Sequence, residues 1–177
     1  MGTQVVNRKR ILGIDPGLNT TGYAVIEVDE NQIGPQARID LCEAGIVRSR
    51  SADQLEQRIQ EIFDGVSEVI ANQHPDSLAL EQLFSHYERP RTAILMGHAR
   101  GAICLAAARA DIPVHHYEPT RVKKVMTGNG RAPKSQIQQA VKLQLRLTSV
   151  PEPADVADAM AIAICGHHLG GMNKLLG

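Results

Sequence analysis

The sequence predicts one α/β domain built on a mixed five-stranded sheet, three antiparallel strands followed by two parallel ones, with helices on its faces. Three consecutive segments rich in β-branched and aromatic residues are joined by short turns, which is typical of an antiparallel meander. Helical periodicity then begins near residue 52 and alternates with two short apolar segments. Because a helix separates those two segments, they are expected to lie parallel through a right-handed crossover.

The elements follow one another in the order βββαβαβ, with further helices at the end. The strands are predicted at residues 10–16, 21–28, 38–48, 77–83 and 112–117. The helices are predicted from residue 52 to the Asn-Gln-His-Pro stop at 72–75, and at residues 91–110, 119–126, 134–147 and 153–168. Small and apolar residues throughout 91–110 predict that this helix is mostly buried. A capping box of Ser135 and Gln138 is expected to open the helix at 134–147.

Length and composition indicate a single globular domain. The 177 residues are 43% hydrophobic and 21% charged, and no apolar stretch is long enough to cross a bilayer. We expect a flexible amino-terminal extension at 1–9, one domain at 10–170 and a tail at 171–177. The amino terminus lacks a signal-type apolar core, and the three cysteines are predicted to be reduced, buried thiols, Cys42, Cys104 and Cys165. A cytoplasmic location is therefore expected.

The net charge is zero, but the charges are segregated along the chain. Residues 51–88 contain one Arg and eight acids, whereas residues 89–134, the basic segment, contain nine Lys and Arg and two acids. A zero net charge argues against nucleic-acid binding, yet the basic segment could supply the local positive surface that such binding requires. Taken alone, both runs are better explained as ordinary solvated helix surfaces.

Four acidic residues occupy positions where a charge is costly or informative. Asp15 ends one apolar segment and Glu81 interrupts another, so each is expected to be paired, solvated or bound to metal. Asp155 and Asp158 are three residues apart, which places both carboxylates on one face of a helix near its start. A turn aspartate at Asp15 and helix capping by one of the pair are the structural alternatives. Together the four suit a site in which carboxylates hold Mg²⁺ for phosphoryl transfer.

Six spaced motifs cover nearly the whole chain after residue 9. They are LGIDPG (12–17), TGYAVI (21–26), LEQLF (80–84), GHARG (97–101), KSQIQ (134–138) and ADVADAMAIAI (154–164). In this order they resemble the Holliday-junction resolvases of the bacterial RuvC type, which have a ribonuclease-H-like fold. The resemblance implies that two Mg²⁺ ions, for which Mn²⁺ is expected to substitute, are bound by the four catalytic acids, Asp15, Glu81, Asp155 and Asp158.

The resemblance also implies a substrate and partners. It implies a homodimer that makes paired, symmetric nicks in four-way junction DNA during recombination and repair, and partner proteins that bind and branch-migrate the same junctions. It assigns Phe84 to unstacked junction bases, although the residue by itself suits a core phenylalanine. Lys123 and Lys134 match lysines that the family uses near the cut strand. The further candidates for phosphate contact, with ordinary surface charge as the alternative, are Arg89, Arg91, Arg121, Lys124 and Arg131.

Other function classes remain open from the residues alone. The glycine-bearing turn after an early aspartate, GIDPGLNTTG (13–22), also opens actin-like and sugar-kinase ATPases, but the chain has too few residues for their second lobe. The same nuclease fold could act on RNA, in the manner of ribonuclease H or the pre-ribosomal-RNA nucleases. A DNA-binding module without activity is disfavoured, because none of the four acids is missing.

Overall fold

Five strands form one mixed sheet in the order β3-β2-β1-β4-β5. The structure, a computed structural model, describes residues 7–31, 37–83 and 90–175, without the side chains of 171–175. Strands β1 to β3 are antiparallel neighbours, whereas β4 lies parallel to both β1 and β5, which confirms the predicted mixed sheet. The strands are β1 (Arg8–Asp15), β2 (Thr20–Asp29), β3 (Ile39–Arg48), β4 (Ser77–Glu81) and β5 (Val114–Tyr117).

Helices cover both faces of the sheet. Because side chains alternate along a strand, β1 presents Leu12 and Ile14 to the first two helices and Ile11 to the last three. Within the described ranges, no helix is both long and apolar enough to cross a membrane. The helices are α1 (Leu55–Gln73), α2 (Pro90–Arg109), α3 (Pro119–Thr127), α4 (Lys134–Gln144) and α5 (Ala154–Leu175).

The boundaries of the predicted extension and tail differ from those observed. Arg8 and Lys9 belong to β1 rather than to an extension, because they pair with the end of β2. Helix α5 continues past the predicted end at His168, so the backbone of 171–175 is helical rather than a tail. Residues 1–6 lie outside the described part of the chain, and the predicted flexibility of the extension stays a prediction.

The predicted capping box at Ser135 and Gln138 was wrong. Pro133 adopts an extended conformation immediately before the helix, so Lys134 is already the first residue of α4. Ser135 therefore lies inside the first turn, where its side chain cannot cap the helix, and no side-chain hydrogen bond caps this end. Helix α4, which begins at Lys134, packs against α3 and α5.

Two predictions of burial were also only partly correct. Cys165 is buried and Cys104 partly buried, but Cys42 is exposed because it lies on the edge strand β3 at an irregularity in the pairing with β2. Helix α2 is not mostly buried. One face packs against α1 and contributes Ala99, Ala102 and Ile103 to the core, whereas Ile94 and Leu105 on the opposite face are 63% and 54% exposed. The sequence could not distinguish these faces because small and apolar residues occupy both.

Candidate active site

Asp15 and Glu81 are the last residues of two neighbouring parallel strands, β1 and β4. The pair that precedes them in the register is Ile14 and Leu80, so the two acids end their strands side by side. Ile14 and Leu80 face α1 and α2. Since side chains alternate along a strand, both acids point to the opposite face, where α5 packs.

Helix α5 reaches this corner because β2 carries a glycine there. Gly22 pairs with Asp15 across the two strands, and a Cβ atom on Gly22 would lie 2.1 Å from the carbonyl oxygen of Asp155. The first turn of α5 therefore lies directly on β2, where any larger residue would push it away. This contact brings Asp155 and Asp158 to Asp15, and it was not predicted from the sequence. Its signal was the glycine among the β-forming residues of TGYAVI.

The charges of the other three acids act on Asp15. Burial raises the pKa of Asp15 to about 8, and the charges of Glu81, Asp158 and Asp155, in that order, contribute to the increase. Burial, followed by the charge of Asp158, also raises the pKa of Glu81. A carboxylate that resists ionisation in this way needs additional positive charge before it can function as an anion.

Two of the predicted lysines supply part of that charge. Lys134 Nζ donates a hydrogen bond of 2.7 Å to Asp158 Oδ2. Its charge, together with that of Lys123, opposes the increase in the pKa of Glu81. The structure thus places Lys123 and Lys134 beside the acids, and their contact with DNA stays a prediction.

Arg100, which sequence reasoning missed, is a third cation near Glu81. Its Nη2 atom lies 2.9 Å from Nδ1 of His116 on β5, and its charge also opposes the increase in the pKa of Glu81. Its Nη1 atom is buried and has no hydrogen-bond partner among the residues that the structure describes. The signal in the sequence was a charged residue inside the apolar face of α2, between the buried residues Ala99 and Ile103.

The structure shows no bond between the acids and the described residues among the other predicted DNA contacts. Phe84 and Arg89 lie outside the described residues. The other four are exposed: Arg91 in the first turn of α2, Arg121 and Lys124 on α3, and Arg131 in the loop before α4. Their roles stay predictions.

The donor set fits a hard divalent cation. Carboxylate oxygens are the ligands that Mg²⁺ prefers, and a divalent charge would offset the repulsion that raises the pKa of Asp15. Among residues 7–31, 37–83 and 90–170, however, no three His, Cys, Asp or Glu side chains are already arranged to hold an ion. A cation would have to draw the carboxylates closer together. The ammonium of Lys134, hydrogen-bonded to one of them, occupies part of that space.

Comparisons with known proteins identify the family of this chain. A family model described as crossover junction endodeoxyribonuclease RuvC matches residues 11–167. A protein of that name from Rhodopirellula baltica is 69% identical, over 96% of this chain and 94% of its own length. Another protein of that name, from Heliobacterium modesticaldum, is 44% identical over 89% of this chain and 93% of its own length. The solved structure of Thermus thermophilus RuvC in complex with a Holliday junction substrate superposes with a TM-score of 0.84. It is 29% identical and covers 94% of this chain and 97% of its own. The chain therefore belongs to the RuvC family of crossover junction endodeoxyribonucleases.

Proposed function

We propose that this chain is a metal-dependent endonuclease that resolves four-way DNA junctions in recombination and repair. One observation carries the proposal: the ends of two parallel strands and the start of α5 bring Asp15, Glu81, Asp155 and Asp158 to one site. Membership of this nuclease family implies dependence on a divalent metal, and the solved Thermus relative is described in complex with a Holliday junction substrate.

The four acids are proposed to bind two Mg²⁺ ions, with Mn²⁺ able to substitute. Bound there, such ions would supply the charge that activates the attacking water and stabilises the leaving oxygen. Asp15 would be the central ligand of the set, because the charges of all three other acids act on it. Lys123 and Lys134 lie beside the acids and would hold backbone phosphates, which position a strand without reading its bases.

The deciding experiment compares three substrates in Mg²⁺ and in chelator: a mobile synthetic four-way junction, a linear duplex and an RNA–DNA hybrid. We expect symmetric nicks in two strands of the junction, only with metal. Preferential cleavage of the hybrid would instead identify an RNA nuclease. Tight binding of ATP without any cleavage of DNA would favour an actin-like ATPase.

A homodimer is proposed because two symmetric nicks require two sites related by a two-fold axis. The outer face of α2, defined by Ile94, Gly97, Gly101 and Leu105, is the proposed interface. Ile94 and Leu105 are large exposed hydrophobic residues, and the space around both glycines is open. An apolar surface with small residues at its centre would let two such helices approach closely.

Leu105→Asp is expected to convert the dimer to a monomer, because it places a charge in the proposed interface. Sedimentation velocity at several concentrations measures the change, and junction nicking should lose its symmetry. Leu143→Asp is the matched control, since Leu143 on α4 is also an exposed leucine, 75% exposed. A dimer that survives Leu105→Asp, or one that Leu143→Asp disrupts, would contradict the proposed interface.

Location and further partners follow from this function. A resolvase must meet chromosomal DNA, so we propose that the chain acts in the cytoplasm. Contacts with the proteins that bind and branch-migrate the same junctions are proposed on family membership alone. Co-sedimentation with junction DNA and those proteins would test them.

A further inference from the structure

The ammonium of Lys134 is hydrogen-bonded to one of the four acids, and its charge interacts with the other three. Lys134 is the first residue of α4, and its Nζ atom donates to Oδ2 of Asp158 across 2.7 Å. The hydrogen bond to Asp158 and the charges of Asp158, Asp15 and Asp155 raise the pKa of Lys134. The charge of Lys134 in turn acts on Glu81. The ammonium is therefore a hydrogen-bonded counter-ion of Asp158, and its charge extends to the other three acids.

A divalent ion and this ammonium would compete for the same carboxylate. Mg²⁺ binds carboxylate oxygens at about 2.0–2.1 Å, so an ion on Asp158 would lie within a few ångströms of Lys134 Nζ. At such separations like charges repel strongly unless water screens them. Lysine has a long and flexible stem, so it can withdraw from the acids without any change in the backbone.

The side chain can also reach a second anion. Lys134 is 54% exposed whereas Asp158 is 29% exposed, so the lysine approaches the acids from the solvent side. A nucleic-acid strand that approaches the acids would pass on this side. A lysine released from Asp158 would meet the phosphates of that strand, and phosphate is a common partner of a lysine ammonium.

We propose that Lys134 is the counter-ion of the metal-free site, that a divalent metal displaces it from Asp158, and that the released ammonium then binds a backbone phosphate. The exchange rests on the metal site proposed above. It makes Lys134 a positioning residue that couples the two binding events, because metal binding makes a phosphate contact available. Binding of metal and of DNA should therefore strengthen each other.

Calorimetric titration of the DNA-free, full-length protein with Mn²⁺ tests the competition. Lys134→Met should bind Mn²⁺ roughly fivefold more tightly than the unmodified chain, the size expected of one partly exposed ion pair. Lys123→Met is the matched control, because Lys123 also acts on Glu81 but has no observed hydrogen bond to an acid. Equal tightening in both variants, or none in Lys134→Met, would overturn the exchange.

A second measurement needs no substitution. The rate of acetylation of each lysine, followed by peptide mass spectrometry, should increase severalfold at Lys134 when Mn²⁺ is added. Lys124, which is exposed on α3, should not change. An unchanged rate at Lys134 in protein that binds Mn²⁺ would overturn the exchange and leave the proposed nuclease site intact. Failure of the unmodified chain to bind Mn²⁺ at all would instead count against the metal site.

Discussion

Asp15→Asn should abolish cleavage of a four-way junction while leaving junction binding intact. The amide keeps the size of the side chain but removes a negative oxygen from the centre of the acidic site. Metal ions contribute several kcal/mol to stabilisation of such transition states, and about 4 kcal/mol corresponds to a loss of roughly 10³-fold in rate. Binding should survive because the basic side chains, including Lys123, are untouched. Gel-shift and single-turnover cleavage assays on the same junction measure the two effects separately.

The same substitution should stabilise the metal-free protein. The pKa of Asp15 rises from its ordinary value of 3.8 to about 8 in the fold, so the folded chain keeps a proton that the unfolded chain loses. Ionisation of Asp15 therefore lowers the free energy of unfolding progressively as the pH increases from about 4 to about 8. An asparagine cannot ionise, so the variant does not lose this stability. At pH 7 in chelator we expect a gain of roughly 2 kcal/mol in the free energy of unfolding. Mg²⁺ should then raise the melting temperature of the unmodified chain more than that of the variant.

Asp64→Asn is the control for both measurements. Asp64 is exposed on α1, away from the acids at the end of β1, so its amide should change neither cleavage nor stability. If Asp15→Asn loses binding and cleavage together, or unfolds more easily in chelator, Asp15 serves the fold rather than the chemistry. Retention of full cleavage would remove Asp15 from the proposed metal site.

Gly13→Ala should destabilise the protein more than any conservative surface change. A Cβ atom on Gly13 would lie 2.3 Å from the carbonyl oxygen of Ala159 and 2.5 Å from the backbone nitrogen of Ala163. Both contacts are with backbone, so the whole of α5 would have to move away from β1. Overpacking of this kind costs about 3 kcal/mol or more, which lowers the melting temperature by roughly 10 °C in a domain of this size. Because α5 carries Asp155 and Asp158, cleavage should fall as well.

Two glycines of α5 provide a graded comparison. A Cβ on Gly166 would be 3.0 Å from the side chain of Ala79, so Gly166→Ala should cost less than Gly13→Ala. The space around Gly170 is open, and alanine there should stabilise the helix by up to about 1 kcal/mol. The melting temperature, measured by thermal unfolding, should be lowest for Gly13→Ala, higher for Gly166→Ala and highest for Gly170→Ala. Equal melting temperatures would mean that α5 does not lie against β1 as closely as the structure shows.

The fold was largely predictable because its signals are local. The apolar run of β1 and the helical repeat of α1 are properties of adjacent residues, so the order of elements could be derived without tertiary contacts. The capping box at Ser135 failed because Pro133 had already determined where the helix begins. Burial of Cys42 failed because position at a sheet edge depends on which strands pair.

For the site as well, local features of the sequence were predictable and tertiary contacts were not. Asp15 and Glu81 were candidates because one ends and the other interrupts an apolar segment, and Asp155 and Asp158 because of their helical spacing. The family resemblance joined the four into one predicted set. Arg100 was missed because its local signal, a charge among the small and apolar residues of α2, did not indicate what its guanidinium would contact. Only the packing of α2 against the sheet brings its guanidinium to His116 and near Glu81.

The sequence by itself determined the types and order of the elements and made the four acids candidates, since periodicity and an acid at the end or in the middle of an apolar segment are properties of neighbouring residues. The tertiary structure alone decided that the acids meet. Gly22 and Gly13 let α5 lie on the sheet at contact distance, and parallel pairing ends β1 and β4 at the same edge. It also decided that Lys134 bonds to Asp158, because residues far apart in the chain become neighbours only when α4 and α5 have packed.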